Sequence, residues 1–371
     1  MIRIGFFTGW RCEYGLTVGL LKLLDSDPDI ELLIYPNGLH LLNNFGHTVD
    51  EIEKDGFTIG EKIYSYSENG DEKAFELTNS VNMINEVMKK SNLDGIIICG
   101  DRIEAYAAAL AAHFNELPVF HIGGGVITKG AVDDVYRYNI TNLATTHFVT
   151  CKSAYKRLMK FEILKDDDIH FVGSTAIDRI MKFKKNPISI RKAFSTIQID
   201  KFALMTFHPV TKGNEPISDL MNISIQKIIN KKFDVLITYP NNDSGYEKIL
   251  SVVKQWESNS NVFLEKNLGS ELYCSALNDC AFVIGNSSSG VIEAPYFKKP
   301  VLNIGSRQEG REKDVGVYDI PADETFIMKG LELGFQKKWP PVEYNNIYGK
   351  GNAGKKILKI VKDKLNHYTH S

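Results

Sequence analysis

Short runs of apolar residues alternate with longer stretches of mixed polarity along most of the chain. In the longer stretches apolar residues recur every three or four positions, as in amphipathic helices; residues 14–26 and the alanine-rich 104–114 are the clearest examples. Short strands alternating with helices are typical of βαβ units around a parallel sheet. The pattern therefore predicts an α/β fold with strands at 2–7, 30–35, 95–100, 118–122, 147–150, 170–173, 202–207, 233–239, 261–265, 280–285 and 300–305.

The predicted strands fall into two series, separated by a lysine-rich connection at residues 181–192. We therefore expect two α/β domains, at 1–180 and 181–352, and a basic amphipathic helix within 353–371 that packs back on a domain. Loops at the carboxyl ends of parallel strands form the usual ligand sites of such sheets. The cleft between the two domains is the expected site.

Composition narrows the class of protein. The chain has 371 residues, of which 43% are hydrophobic and 24% charged, and its formal charge is −2, so neither disorder nor a general basic surface for nucleic acid is expected. Five scattered cysteines without C-x-x-C spacing favour neither a disulfide framework nor a zinc site. No apolar run is long enough for a membrane span or a secretory signal, which predicts a cytoplasmic protein.

The run GNSSSGVIEAPYF, residues 285–297, lies between a predicted strand and a predicted helix. Small hydroxyl side chains and free backbone N–H groups at such a turn suit a phosphate, although a residue such as Asn286 could equally cap the helix. The run contains Ser288, Ser289 and Gly290, and Glu293 follows one turn later, where it is placed to accept two ribose hydroxyls.

Other polar residues follow the predicted strands of the first series. Arg11 comes after the first strand, and Asp101 and Arg102 follow the third. Arg11 is a candidate for contact with a phosphate or base, and Asp101 for proton transfer or a sugar hydroxyl. The alternatives are a surface arginine and an aspartate that caps the next helix. Three glycines at 123–125 precede Asp133 and Asp134, which are candidate acid–base groups or simply the start of a helix.

The second series shows the same arrangement. His208 follows the strand at 202–207, where an imidazole could protonate or bind a leaving phosphate, although a lone histidine is more often structural. Arg307 and Arg311 follow the strand at 300–305. Adjacent loops at one sheet edge should bring these arginines near the serines. Together these residues predict a pocket for a nucleoside diphosphate.

Six ordered motifs between about residue 3 and about residue 315, from TGWRCEYG to IGSRQEGR, resemble those of the hydrolysing UDP-N-acetylglucosamine 2-epimerases of sialic-acid-type sugar synthesis. The resemblance implies a GT-B fold of two Rossmann-like domains, without metal or cofactor, and a homo-oligomer, dimer or tetramer. It places the diphosphate at Ser288, Ser289, Gly290 and His208, the ribose at Glu293, the nucleotide at Arg11 and Arg311, and the sugar at Asp101 and one of Asp133 and Asp134.

The chemistry that the resemblance implies is C2 deprotonation with loss of UDP, followed by addition of water. This chain departs from the family pattern, HIEGGE or HIHGGE, because it has HIGGGV with Gly123 and Val126 where the pattern has side chains that include an acid–base glutamate. Either Asp101, Asp133, Asp134 or His147 replaces the missing group, or the substrate carries a larger C4 substituent, or turnover is altered. The alternative functions are a GT-B glycosyltransferase, a plain UDP-sugar hydrolase and a nucleotide-sugar binding protein.

Overall fold

The computed structural model describes residues 1–68, 72–129, 133–211, 214–241, 243–336 and 343–368. The chain divides into two compact units. The first consists of Met1–Val126, Asp133–Asp178 and Tyr348–Ser371, and the second of Ile127–Val132 and Arg179–Ile347. The chain therefore contributes a short segment, Ile127–Val132, to the second unit, enters it again after Asp178 and returns to the first at Tyr348.

A six-stranded parallel sheet forms the centre of the first unit, in the order β2-β1-β3-β4-β5-β6. Its strands are β1 Ile2–Thr8, β2 Ile30–Pro36, β3 Gly95–Cys99, β4 Val119–Ile122, β5 Thr146–Val149 and β6 Ile169–Phe171. The helices that begin in this unit are α1 Arg11–Asp25, α2 Val49–Lys54, α3 Lys73–Ser91, α4 Ile103–Phe114, α5 Asp134–Leu143, α6 Lys152–Leu158 and α7 Thr175–Phe183.

The two faces of this sheet are covered by different helices. One face packs with α1 and with the last helix of the chain, which spans Ala353–Tyr368, through Leu20, Leu24, Ile357 and Val361. Residues 369–371 of the predicted C-terminal segment lie outside the described residues. The other face packs with α3 and the alanine-rich α4. Both faces are apolar, as the continuous hydrophobic strands require.

The second unit contains another parallel sheet, in the order β12-β11-β10-β7-β8-β9. Its strands are β7 Phe202–Thr206, β8 Asp234–Thr238, β9 Val262–Glu265, β10 Phe282–Gly285, β11 Val301–Ile304 and β12 Val317–Ile320. Its helices are α8 Ile217–Asn230, α9 Tyr246–Gln255, α10 Gly269–Asp279, α11 Ser288–Ile292 and α12 Glu324–Phe335; the terminal helix Ala353–Tyr368 is α13.

The predicted α/β fold class is confirmed, and each predicted strand overlaps one of β1 to β11. The sequence analysis missed β12, because this strand reads VYDI and its residues are only partly buried, so it lacks the apolar run of an inner strand. In the described part of the chain, no helix has the length and apolar character needed to cross a membrane.

Three histidines of the first unit, His40, His121 and His147, are fully buried. His147 lies in β5 beside His121 of β4, and neither ring nitrogen of His147 has a hydrogen-bond partner among the described residues. Burial, and then the proximity of His121, lower the pKa of His147 to about 3. Burial also lowers the pKa of His121 to about 4 and that of His40 to about 3. These rings are therefore neutral in the folded unit.

We expect acid to destabilise the first unit through these rings. Below a pH of about 6.5 an unfolded histidine binds a proton that the buried one does not, so the free energy of unfolding falls by about 1.4 kcal/mol per pH unit for each ring. Urea unfolding between pH 6.5 and 5 should show a slope smaller by this amount in His147→Gln. The exposed control His113→Gln should keep the wild-type slope. Equal slopes in wild type and His147→Gln would contradict the assignment.

Candidate functional site

Each sheet has a switch point, where consecutive connections leave in opposite directions. In the first unit the chain passes from β1 to β2 on one side and then returns to β3 on the other side of β1. In the second unit the equivalent neighbours are β7 and β10. The loops that follow such a strand pair diverge and leave a crevice at the carboxyl ends. The polar clusters singled out in the sequence follow these four strands, with others after β4 and β11.

Hydroxyl groups and an imidazole meet at the switch point of the second unit. The oxygen Oγ of Ser287 lies 3.0 Å from Oγ of Ser289 and 3.3 Å from Nε2 of His208. The Tyr273 hydroxyl lies 2.5 Å from Oγ of Ser289. The backbone N–H of Asn241 donates to Nδ1 of His208 over 3.0 Å, so the ring proton resides on Nε2, towards the serines. The group thus offers several donors to an anion.

Asn286 fixes the position of His208 relative to the serines. The Asn286 side chain is fully buried, accepts from the backbone N–H of His208 over 2.7 Å and donates to its carbonyl over 2.9 Å. The carbonyl of Asn286 in turn accepts from Arg307 at 3.2 Å and from Gln308 at 2.9 Å. The structure therefore brings Arg307 to the serine turn, as predicted from the adjacent loops. Arg307 also lies 3.8 Å from the Asp243 carboxylate.

The helix behind the serines is short and ends before Pro295. Ser288 begins α11, which has five residues, and a 3-10 turn at Ala294–Phe297 replaces further helix where Pro295 removes a backbone donor. Such a short helix has a weak dipole, so the side-chain hydroxyls and His208 are the main features of this turn. Gly290 is buried in α11, beneath the turn.

Glu293 is buried and Arg311 is partly buried. Glu293 follows α11, is only 5% exposed and forms an ion pair with Arg179, which the sequence analysis did not single out. Burial, and then the charge of Glu293, raise the pKa of Tyr273 far above its ordinary value, so Tyr273 remains a donor. Arg311 is partly buried, and its Nε has no partner among the described residues.

Arg137 joins the candidate carboxylates of the first unit. It lies on α5, is 3% exposed, and forms ion pairs with both Asp101, after β3, and Asp134, at the start of α5. It also donates to the carbonyl of Val126 over 2.8 Å. Asp133 occupies the position before the helix. The sequence analysis missed Arg137, although its spacing of three residues from Asp134 on a helix was a usable signal.

Arg11 and Arg102 both lie close to one aromatic ring, that of Trp10. Their guanidinium carbons are 5.2 Å and 5.8 Å from the ring centre of Trp10, and Nε of Arg102 lies 3.3 Å from the Glu104 carboxylate. Cation–π contact with tryptophan holds both arginines at the ends of β1 and β3. Trp10 and Glu104 were not among the predicted site residues.

The glycine segment after β4 leaves open space next to Gly100, the residue that precedes Asp101. Gly123 has a φ of +97°, and a Cβ added there would meet only the backbone nitrogen of Gly100, at 3.9 Å. His147, by contrast, lies within β5 and is fully buried, so the structure does not bring it to the strand ends. No group of three or more His, Cys, Asp or Glu residues suited to a metal ion occurs within the described ranges.

The two Rossmann-like sheets with polar switch points define a GT-B-type α/β protein. A family model described as UDP-N-acetylglucosamine 2-epimerase matches residues 22–362, and the chain belongs to this family. This confirms the family inferred from the six motifs.

Individual relatives agree with the family match. The chain is 31% identical to UDP-N,N'-diacetylbacillosamine 2-epimerase (hydrolyzing) of Legionella pneumophila, over 98% of this chain and 96% of that protein. It is 30% identical to GDP/UDP-N,N'-diacetylbacillosamine 2-epimerase (hydrolyzing) of Campylobacter jejuni, over 90% and 87%. The crystal structure of UDP-GlcNAc 2-epimerase from Neisseria meningitidis bound to UDP-GlcNAc aligns with a TM-score of 0.82 at 20% identity, over 98% of this chain and all of that one.

Removing Arg137 should destabilise the first unit strongly. In Arg137→Ala, Asp101 and Asp134 lose their shared cation, and we expect the free energy of unfolding to fall by about 2–4 kcal/mol, since these carboxylates are largely but not fully buried. The control Arg3→Ala breaks a pair with Glu31 whose side chains are 36% and 34% exposed. That control should cost less than about 1 kcal/mol. Urea unfolding measures both, and similar losses would contradict the proposed importance of Arg137.

Proposed function

We propose that this chain is a hydrolysing 2-epimerase of a UDP-N-acetylhexosamine. The favoured substrate is a UDP-2,4-diacetamido-2,4,6-trideoxyhexose, and UDP-N-acetylglucosamine is the other candidate. The observation that carries the choice of substrate is the open space at Gly123, next to Gly100, which precedes Asp101. The family pattern has a longer side chain at this position. Two relatives at 31% and 30% identity are named for N,N'-diacetylbacillosamine, a sugar of the diacetamido class, and this supports the same choice.

The carboxylates of the first unit suit the removal of the C2 proton. Asp101 forms an ion pair with Arg137, which fixes the position of its carboxylate. Asp133 and Asp134 are the other candidates for the acid and base roles. As the C2 proton leaves, the electrons of the C2–H bond form the C1–C2 double bond of a glycal, and the C1–O bond breaks with its electron pair going to UDP.

The second unit suits the departing diphosphate. In this proposal Ser288 and Ser289, together with Gly290, bind phosphate oxygens, and Nε2–H of His208 donates to the same group. Arg307 and Arg311 add positive charge. Contact of Arg11 with the nucleotide stays a prediction. Glu293, held by Arg179, accepts from ribose hydroxyls. Water then adds to the glycal, with its oxygen on C1 and a proton on C2 from the opposite face, which gives a free sugar inverted at C2.

The other sequence-based expectations accompany this proposal. The exact domain boundaries, the cytoplasmic location and the homo-oligomer stay predictions. A UDP-sugar is the proposed small-molecule partner, and no role for nucleic acid or membrane is proposed.

Proton NMR in deuterated water tests the reaction. With UDP-2,4-diacetamido-2,4,6-trideoxyglucose we expect UDP and a free sugar that is inverted and deuterated at C2, because the glycal takes its new proton from solvent. UDP-N-acetylglucosamine should react more slowly, by about tenfold or more, if the space at Gly123 selects the second acetamido group. The control Asp101→Asn should still bind UDP and give neither product.

Each other result identifies a different function. Deuterium at C2 of an intact UDP-sugar would mean a non-hydrolysing epimerase. UDP release without deuterium would mean simple hydrolysis, and release that requires an added acceptor would mean glycosyl transfer. Binding without any product would leave a nucleotide-sugar binding protein. Faster reaction of UDP-N-acetylglucosamine would contradict the assigned substrate but not the reaction.

Calorimetric titration with UDP tests the serine turn. Ser289→Ala removes a hydroxyl at its centre, so we expect the Kd for UDP to rise about ten- to a hundredfold, the effect of losing one hydrogen bond to a charged group. The matched control Tyr273→Phe removes only the hydroxyl that contacts Ser289 and should change the Kd less. Wild-type affinity in Ser289→Ala would remove Ser289 from the nucleotide pocket.

A further inference from the structure

Two glutamates that have no role in the proposed reaction lie together at the switch point of the first unit. Glu13 is in the first turn of α1, Glu104 is in the first turn of α4, and both are almost fully buried, with 5% and 1% exposure. Gly9 separates them. Its backbone N–H donates to Oε2 of Glu13 over 3.0 Å, and a Cβ added to it would lie only 2.8 Å from Cδ of Glu104.

Each carboxyl group has one oxygen without a partner. Oε1 of Glu13 and Oε1 of Glu104 are buried and have no donor at good hydrogen-bond geometry among the described residues. The backbone N–H of Trp10 and the hydroxyl of Tyr66 are the nearby donors to Glu13 and Glu104. Their second oxygens are bound, Glu13 by Gly9 and Glu104 by Nε of Arg102 at 3.3 Å. Two ionised carboxylates in such a place would repel each other and lack the donors that a buried charge needs. One retained proton removes most of this cost.

Two charged groups act on Glu13, the Glu104 carboxylate and the Arg102 guanidinium. Burial, and then the negative charge of Glu104, raise the pKa of Glu13 to about 8, and Arg102 only partly offsets them. Cys99, on β3, faces Glu13, and burial followed by the Glu13 charge raises the pKa of its thiol far above the ordinary value. Cys12 of α1 interacts with Glu13, and Tyr66 and Tyr136 interact with Glu104. One step further out, Arg11 acts on Cys12, and Glu76 of α3 acts on both tyrosines.

We propose that Glu13 and Glu104 share one proton and act as a positioning pair, which holds the loops carrying Arg11, Asp101 and Arg102 in their active arrangement until alkaline pH removes the proton. The proton therefore belongs to the pair rather than to either residue alone. The effect on turnover rests on the proposed function, whereas the presence of the proton does not.

In this proposal the pair affects the position of Asp101 through the backbone of Gly100. Oε1 of Glu13 lies 3.5 Å from the position of a Cβ on Gly100, the residue that precedes Asp101. The N–H of Gly100 donates to the carbonyl of Ile122, and its own carbonyl accepts from Nε2 of His121 at 2.7 Å. A second negative charge beside this backbone would favour outward movement of the loop, and with it the candidate base. Glu104 affects Arg102 directly, because the Glu104 carboxylate forms an ion pair with Arg102.

Hydrogen exchange of the β1 and β3 amides tests for the proton without any substrate. Because the folded unit holds this proton more tightly than the unfolded chain, the stabilisation is complete at low pH and is lost as pH rises towards 8. Between pH 6.5 and 8, the protection factors of wild type should therefore fall relative to those of Glu13→Gln by up to about tenfold per pH unit and level off above. The amide keeps an oxygen for Gly9 and cannot ionise.

The matched control is Glu86→Gln, which alters an exposed glutamate on α3 whose pKa is lowered by Lys89. Its protection factors should follow those of wild type at every pH. If wild type and Glu13→Gln keep a constant ratio across this range, no shared proton exists and the proposal is overturned, whether or not the chain turns over a UDP-sugar.

The pH dependence of kcat/KM for the UDP-sugar tests the positioning role. Wild type should lose activity above a pH of about 8. Glu13→Gln should move this alkaline limb to higher pH, and should be more active at neutral pH than Glu13→Ala. Glu104→Gln removes the negative charge that raises the pKa of Glu13 and should move the limb to lower pH. Alkaline limbs at the wild-type pH in both glutamine variants would overturn the positioning role, since a purely structural pair predicts no shift.

The two measurements separate the possible failures. Absence of turnover with every UDP-sugar would reject the proposed function, and hydrogen exchange would still decide whether the proton is present. Should Glu13→Gln fail to fold, the shift in Glu104→Gln decides the positioning role, because the two variants predict opposite directions.

Discussion

The arrangement of parallel strands is the constraint on which both candidate sites depend. When consecutive strands leave a central strand on opposite sides, as at β1 and β3 or at β7 and β10, the following loops must diverge and cannot bury each other. Polar side chains collect there because no apolar core closes over the strand ends. The same geometry gives the first unit its carboxylates and arginines and the second unit its hydroxyls and imidazole.

The two switch points carry different kinds of polar group. The turn after β10 presents hydroxyl groups and the His208 ring, and Asn286 holds His208 in place through two hydrogen bonds to its backbone. The loops after β1 and β3 must keep several carboxylates together, which is costly in a buried setting. Arg137 offsets this cost for Asp101 and Asp134. The candidate donors for a ligand and the cation that neutralises the protein's own carboxylates are therefore different residues.

The sequence predicted which loops carry polar groups more reliably than which groups contact each other. Apolar runs locate inner strands, so the positions of Asp101, His208 and the serines at strand ends followed directly. The partners of Asp101 and Glu293 did not, since Arg137 and Arg179 meet them only after the chain folds. His147 illustrates the reverse problem: it was a candidate by chemistry, but it lies inside β5 and is buried. Periodicity cannot distinguish a histidine within a strand from one at its end.

The glycine at position 123 is consistent with this electrostatic balance. The carboxylates of Glu13, Asp101, Glu104, Asp133 and Asp134 are accompanied by the guanidinium groups of Arg11, Arg102 and Arg137. A further glutamate at Gly123, whose backbone faces Gly100, would add negative charge close to the Glu13 oxygen that has no partner. It would also require a side chain at a φ of +97°, which L residues rarely adopt. Glycine avoids both costs and leaves the adjacent space to a substrate.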